Sequence, residues 1–400
     1  MKFNKWTVGL AAIGVVSLAS AARADEKMSP VQTALSNTTL SGYVDVSAQW
    51  NLGSQNGGAT PAYAFGPGKA DGFNLNAVDI AIDKPQDESP WAAGYHVELM
   101  LGPDAKPASY SGNGSSIPIR QAYIALRTPV GKGIDWKVGV WDTIIGYEST
   151  SDPLNPNYTR SYGYGIEPTT HTGILGTYKV NDIVSVSAGV ANGSQVAPPY
   201  IGTVFGPAPI NGRAAMESQK AYMGAIALTA PDSWGWGKGA TLNAGIINAV
   251  DTKYSGLGGT AGGTTSYYVG ATVPTPLNKL KVGAAFDYLD HHDAFRIPGA
   301  NSDSSFWNVA LYANFQASDK LSFNARGEHL NYNTPALFGH ADLDEFTFTT
   351  QYALWANVLS RVEFRWDHME HGKPYDYSAY GDTGIHNNAF LLALNLIYQF

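Results

Sequence analysis

Phe390-Leu-Leu-Ala-Leu-Asn-Leu-Ile-Tyr-Gln-Phe400 is the stretch that decides the fold class. Phe390, Leu392, Leu394, Leu396, Tyr398 and Phe400 alternate with Leu391, Ala393, Asn395, Ile397 and Gln399, and a period of two puts the first set on one face of a β-strand. In a soluble sheet, a terminal strand this apolar would be an unprotected edge, prone to pairing with other chains. In a closed barrel the edge disappears and the apolar face meets lipid. The stretch therefore predicts the closing strand of a transmembrane barrel.

Working back from that strand, about sixteen segments alternate in the same way. In Leu40–Trp50 one face carries Leu40, Gly42, Val44, Val46, Ala48 and Trp50, and the other Ser41, Tyr43, Asp45, Ser47 and Gln49. Trp91–Leu101, Leu280–Tyr288, Trp307–Phe315, Leu321–Glu328 and Val358–Asp367 repeat the pattern. Their connections alternate in length. Short links at 84–90, 128–133, 179–182, 231–239, 274–279, 316–320 and 354–357 interleave with longer ones rich in Gly, Pro, Ser and Asn at 51–71, 102–118, 144–171, 192–218, 250–264, 290–304, 331–344 and 369–388. Long loops outside and short periplasmic turns inside are the outer-membrane arrangement. The expected fold is all-β: an antiparallel up-and-down β-barrel of about 16 strands over residues 39–400. A soluble sandwich shares the alternation but does not predict this rhythm.

The start of the chain is consistent. Lys2 and Lys5 precede an apolar run that closes on Ala22-Arg23-Ala24, so residues 1–24 read as a cleaved signal peptide and 25–38 as a short periplasmic segment. At about 15 residues the run is too short to span a membrane as a helix. Removing the signal takes three basic residues and no acidic one, so the formal charge falls from −8 to −11. An acidic chain argues against a nucleic-acid partner, which needs basic side chains for phosphate. Charged residues are only 14% of the chain, against 44 glycines, 23 tyrosines and 10 tryptophans, which suits a sheet with one face in lipid. With no cysteine, disulfides, thiolate metal sites and cysteine nucleophiles are excluded.

Sixteen strands leave room for water, whereas about eight are filled by side chains. The channel-lining residues are then expected on the polar strand faces: Asp45, Gln49, His96, Glu98, Gln121, Arg127, Lys137, Asp287, Asn324, Arg326, Glu328, Arg361, Glu363, Arg365 and Asp367. The competing expectation is that many pair across strands as solvated ladders and select nothing. Within the longest link, Asp152, Arg160, Tyr162 and Glu167 are candidates for a constriction loop that folds into the lumen, against the alternative of a loop packed over the rim. Residues 192–218, with Arg213, are a second candidate.

Enzyme chemistry has little to stand on. No G-x-S-x-G, Walker or dinucleotide motif occurs, although the many serines leave a rim hydrolase open. Asp287, Asp290, His291, His292 and Asp293 offer oxygen and imidazole groups for a divalent cation, with a solvated loop as the default. The two histidines of His368-Met-Glu-His371 are three apart on a strand and face opposite ways. No catalytic residue, resident metal or cofactor is expected.

Asn76–Pro85, Ile119–Arg127, Lys137–Glu148, Asn157–Tyr164 and Glu167–His171 resemble the OmpL-like outer-membrane β-barrel porins, most densely over 76–180. The resemblance implies a barrel in the outer membrane that passes small hydrophilic solutes or ions. By analogy with such barrels, Phe400 is an address read by the barrel-assembly machinery, and a homotrimer is the assembly in view. The alternative is a barrel with a structural or adhesive role and a plugged lumen.

Overall fold

The computed structural model describes residues 37–52, 69, 71–105, 119–194, 199–200, 203–204, 219–249, 263–277, 279–292, 303–334, 339–373, 375 and 386–400. The signal peptide, most of segment 25–38 and Arg213 lie outside them. Among the described residues, no helix is long and apolar enough to cross a membrane.

Sixteen antiparallel strands form one closed barrel. They are β1 (Thr39–Asn51), β2 (Gly72–Lys84), β3 (Ala93–Leu101), β4 (Ile119–Thr128), β5 (Ile134–Asp142), β6 (Thr170–Lys179), β7 (Val184–Ala191), β10 (Ala221–Thr229), β11 (Thr241–Ala249), β12 (Thr264–Pro274), β13 (Leu280–His291), β14 (Ser304–Gln316), β15 (Leu321–Thr334), β16 (Gly339–Trp355), β17 (Val358–Met369) and β18 (Asn388–Gln399). A small hairpin, β8 (Pro199–Tyr200) with β9 (Thr203–Val204), lies in the link between β7 and β10. Every barrel strand pairs with its neighbours in sequence, and β18 closes on β1 from Tyr43↔Gln399 to Asn51↔Leu391. The closing strand is therefore the one that its alternation predicts.

Two-residue periodicity separates the barrel's faces. On β18, Phe390, Leu394, Leu396 and Tyr398 are exposed, while Leu391, Ala393, Asn395 and Ile397 are buried. The outward face continues around the sheet through Val46, Ile124, Leu311, Phe346 and Phe364, an apolar surface suited to lipid. Exposed tryptophans 91, 234, 236 and 355 mark the end of the barrel with short turns, where an aromatic girdle meets the interface. Trp234 and Trp236 sit on a 3-10 segment, Asp232–Gly237.

Two expectations need correction. The link drawn at 331–344 is mostly strand, because β15 runs to Thr334 and β16 resumes at Gly339. The polar residues Asn331, Asp342 and Asp344 there alternate as cleanly as apolar ones and belong to the ladder. Inward faces are also not uniformly hydrophilic. Leu289, Phe306, Leu330, Tyr332, Leu343 and Met369 face inward at the long-loop end and form a buried cluster.

Strict alternation fails at three β-bulges among the described residues; one, at the short turn between β16 and β17, makes Leu354 an extra residue, and the other two reach the inner wall. Asp45 pairs with Ala77 and Val46 with Leu75, so Asn76 is an extra residue in β2. Glu98 pairs with Gln121 and Leu99 with Ile119, so Arg120 is the extra residue in β4. A bulge lets two consecutive side chains lie on one face. Asn76 and Arg120 are both buried on the inner side.

Candidate functional site

The link between β5 and β6, residues 143–169, turns into the barrel. It contains a 3-10 turn, Asp152–Leu154, and one helical turn, α1 (Tyr162–Ile166). Pro153 enters the 3-10 turn, where its missing N–H costs nothing. Ser161 caps α1 by accepting the amide of Tyr164 at 3.0 Å.

Inward-facing charges of β15 and β17 hold this loop by its backbone. Acids take its amides: Glu363 accepts from Tyr158 N–H at 2.5 Å and Thr159 N–H at 2.9 Å, and Glu328 from Tyr162 N–H at 2.8 Å. Arginines take its carbonyls. Arg361 donates to the carbonyls of Asp152 and Asn155, Arg326 to those of Thr159 and Arg160, and Arg365 to that of Arg160 at 2.7 Å. An irregular loop inside a barrel lacks ladder partners, so each buried N–H and C=O needs another group, and alternating Glu and Arg provide both kinds. These arginines are at most 2% exposed.

Side chains extend the seam. The hydroxyl of Tyr162 donates to Asp367 at 2.5 Å, and Asp367 also takes Arg365 at 2.7 Å. Arg326 reaches Glu148 at 2.8 Å and Glu345 at 3.1 Å. Tyr162 and Ile166 fill the apolar cluster at the long-loop end, while Ile145 packs with Trp141, Leu175, Met223 and Ile247. On the β1–β2 side, Tyr158 donates to Gln49 at 3.0 Å and lies beside Ser47 and Asn76, and Asn76 donates to Asp45 at 2.7 Å. Burial pushes the Tyr158 hydroxyl up to about 12, so it stays protonated as a donor.

The four loop candidates divide by role. Arg160 and Asp152 pair with each other at 2.6 Å, and Arg160 also takes the carbonyls of Ser149 and Thr150, so the two fix the loop's own shape. Tyr162 binds the wall, as described. Glu167 lies against Asp287 across the lumen-facing side of β13, and burial first, with the Asp287 carboxyl second, holds Glu167 well above the usual carboxylate range.

The residues expected to line a channel all face inward: Asp45 and Gln49 on β1, and the rest in two groups. Asp287, Asn324, Arg326, Glu328, Arg361, Glu363, Arg365 and Asp367 lie beneath the loop. Across the barrel, His96 bridges Asp83 at 3.0 Å and Glu98 at 3.2 Å, Gln121 donates to Glu98 at 2.7 Å, and Lys137 sits over the Tyr123 ring at 4.7 Å. Arg127 pairs with Asp135 at 2.6 Å. Alternation missed Arg120, which clamps Glu98 at 2.5 Å and Asp142 at 2.7 Å. The available signal was Arg120 beside Gln121: two polar residues in succession cannot alternate, and an arginine in lipid is costly. Glu148, which binds Arg326 and the amide of Ser161, left no periodic trace because it lies in the loop.

The proposed ligands of a cation on β13 do not assemble. Strand alternation buries Asp287 and His291 inside and turns Asp290 outward toward His292, at 3.1 Å, while Asp293 lies outside the described residues. His329, Asp344 and Glu370 do come together, on the outward face at the long-loop end.

A closed sixteen-strand barrel with a long loop folded against its inner wall defines the porin class of β-barrels. The chain belongs to the OmpL-like beta-barrel porin-2 family, whose model matches residues 37–400. No curated protein matches it in sequence. Among solved structures it is similar to the outer membrane channel DcaP of Acinetobacter baumannii, at 11% identity and TM-score 0.58 over 91% of this chain and 97% of that one. It is also similar to an anion-selective porin from Comamonas acidovorans, at 11% identity and TM-score 0.56 over 91% and 99%. Salmonella typhi OmpF in complex with daunomycin gives 13% identity and TM-score 0.55 over 91% and 97%. At these identities the likeness concerns the fold.

Proposed function

We propose that this chain is an outer-membrane porin: a water-filled passage through which small hydrophilic solutes and ions diffuse, with no catalytic step. The observation that carries the reading is the inward loop, held by backbone hydrogen bonds from Glu328, Glu363, Arg326, Arg361 and Arg365. A sixteen-strand barrel is wide enough for an aqueous lumen, and a loop fixed on one wall narrows it without filling it. Because the arginines of β15 and β17 are buried between the loop and neighbouring carboxylates, the charges left to meet a solute are those opposite, including half-buried Lys137 and Asp142 beside the Arg120–Glu98 pair. Asp152, Arg160, Tyr162 and Glu167 act by fixing the constriction.

Export by the signal peptide, insertion through the assembly machinery with Phe400 as its address, and a homotrimeric assembly belong to the same proposal. Planar-bilayer recording tests it. Folded protein should give stepwise currents, and graded sugars should block above a cut-off size. A second reading, a closed barrel with a structural role, is favoured by the near-complete burial of Arg326, Arg361 and Arg365. Inserted, heat-modifiable protein without conductance would establish it instead.

A further inference from the structure

The wall under the start of β6 carries two acids, Glu167 and Asp287, that take no part in the arginine–glutamate seam of β15 and β17. Glu167 follows α1, and its carboxyl meets that of Asp287 on β13. Asn308, the register partner of Asp287 on β14, is fully buried, and neither its Oδ1 nor its Nδ2 has a hydrogen-bond partner; Oδ1 of Asp287 also has none. While the Glu167 carboxyl lies against Gly146, Asp287 and Asn308 converge on Gly163. A methyl group there would lie 2.7 Å from Oδ2 of Asp287 and 2.9 Å from Nδ2 of Asn308, so only glycine keeps the space open.

No cation balances these acids. Among the described residues, neither Glu167 nor Asp287 forms an ion pair with Lys, Arg or His. The other titratable groups facing them are Glu148, whose carboxylate is taken by Arg326, and the phenols of Tyr147 and Tyr268. Sharing a hydrogen bond, the two carboxyls hold one proton between them in the absence of an ion, which leaves one buried negative charge without a partner cation; that is costly, as is a buried amide with both ends unsatisfied.

We propose that Glu167, Asp287 and Asn308 form a site for one hard divalent cation of calcium size. Two carboxylates balance its charge. The amide oxygen of Asn308 turns to it by exchange of the two amide ends, which are interchangeable in assignment. An all-oxygen set with neither imidazole nor thiolate selects calcium over zinc, and the unequal reach of Glu and Asp suits calcium's flexible coordination better than the strict octahedron of magnesium. The ion would tie the end of the inward loop to β13 and β14. This does not depend on solute passage, because its readout is binding.

The test is calcium titration of the folded full-length barrel in detergent by calorimetry, with Tb3+ luminescence excited through Tyr147 and Tyr268 as a local probe. The expected result is one calcium per chain, weakened tenfold or more in Glu167→Gln and in Asn308→Ala, and unchanged within twofold in Glu370→Gln, which disrupts the outward-facing group with His329 and Asp344. Wild-type affinity should fall on acidification, because protons compete for the carboxylates. Gel heat-modifiability selects folded samples, and Asp287→Asn serves if Glu167→Gln does not insert. No calcium binding by folded wild type, equal binding by Glu167→Gln, or loss in Glu370→Gln alone would each overturn the site.

Discussion

Replacing Glu363 with alanine removes the acceptor that holds the middle of the inward loop. Glu363 takes Tyr158 N–H at 2.5 Å, Thr159 N–H at 2.9 Å and the Thr349 hydroxyl at 2.7 Å, and it is fully buried. The hydroxyl can rotate to another acceptor. The two amides cannot, and a buried donor left unsatisfied costs about 1–3 kcal/mol. Taking about 4 kcal/mol for the pair, the population of loop-undocked barrels rises by about three powers of ten. The strands keep their ladder, so the barrel itself should stay folded and heat-modifiable. Hydrogen exchange followed by mass spectrometry should show peptides covering 152–162 losing protection, while β17 and β18 keep theirs. In bilayers the same variant should give larger, noisier current steps. Glu363→Gln, which retains one acceptor oxygen, should fall between. Unchanged exchange over 152–162 in a folded Glu363→Ala barrel would refute the view that this carboxylate holds the loop.

Three further outcomes follow from the wall and its loops. Arg120→Met leaves Glu98 and Asp142 without their shared guanidinium, a loss of about 3–5 kcal/mol that urea unfolding in vesicles should register, and that adding Glu98→Gln and Asp142→Asn should largely restore. A wild-type midpoint in the single variant would contradict the clamp. Leu394→Arg, on the outward face of β18 near mid-height, should cost about 2–4 kcal/mol in the same measurement if that face meets hydrocarbon. Asp104, which follows β3, is pushed by burial up to about 6 despite Lys69 at 2.7 Å. Because its folded value lies above the unfolded one, its contribution is fully present below about pH 4 and is lost as the pH rises through about 6. Exchange of the segment around residues 101–105 should therefore be slower at pH 4 than at pH 7, after correction for intrinsic rates, and Asp104→Asn should remove the difference.

The barrel was legible because lipid outside and a packed polar seam inside impose opposite chemistry on successive residues. Phe390–Phe400, Leu40–Trp50 and Val358–Asp367 carry that alternation with few exceptions. Alternation cannot report a bulge, so Asn76 and Arg120 went unseen although both are buried and bonded inside. Nor can it report what covers a face: Arg326, Glu363 and Arg365 were placed on the inner side, but their partners are backbone groups far away in sequence. A loop's path depends on such long-range bonds, which is why the length of the link 144–171 marks it as a candidate without showing which wall receives it. The link drawn at 331–344 failed for a simpler reason: polar side chains at the head of a tall strand look like loop residues.

The separation between the loop and its anchors bears on the order of biogenesis. Tyr158 is 205 positions ahead of Glu363, and Arg361 meets Asp152 across 209. Closing so long a span carries a large entropic penalty unless the intervening hairpins already exist. The bolt should therefore slide home last, after the final hairpin is joined to the first, and an assembly intermediate that still lacks β17 would have the β15 side chains Asn324, Arg326 and Glu328 to receive it but not Arg361, Glu363 or Arg365. A nascent barrel would then pass through a wider, leakier stage, and an envelope would be best served by finishing that stage before releasing the chain into the bilayer.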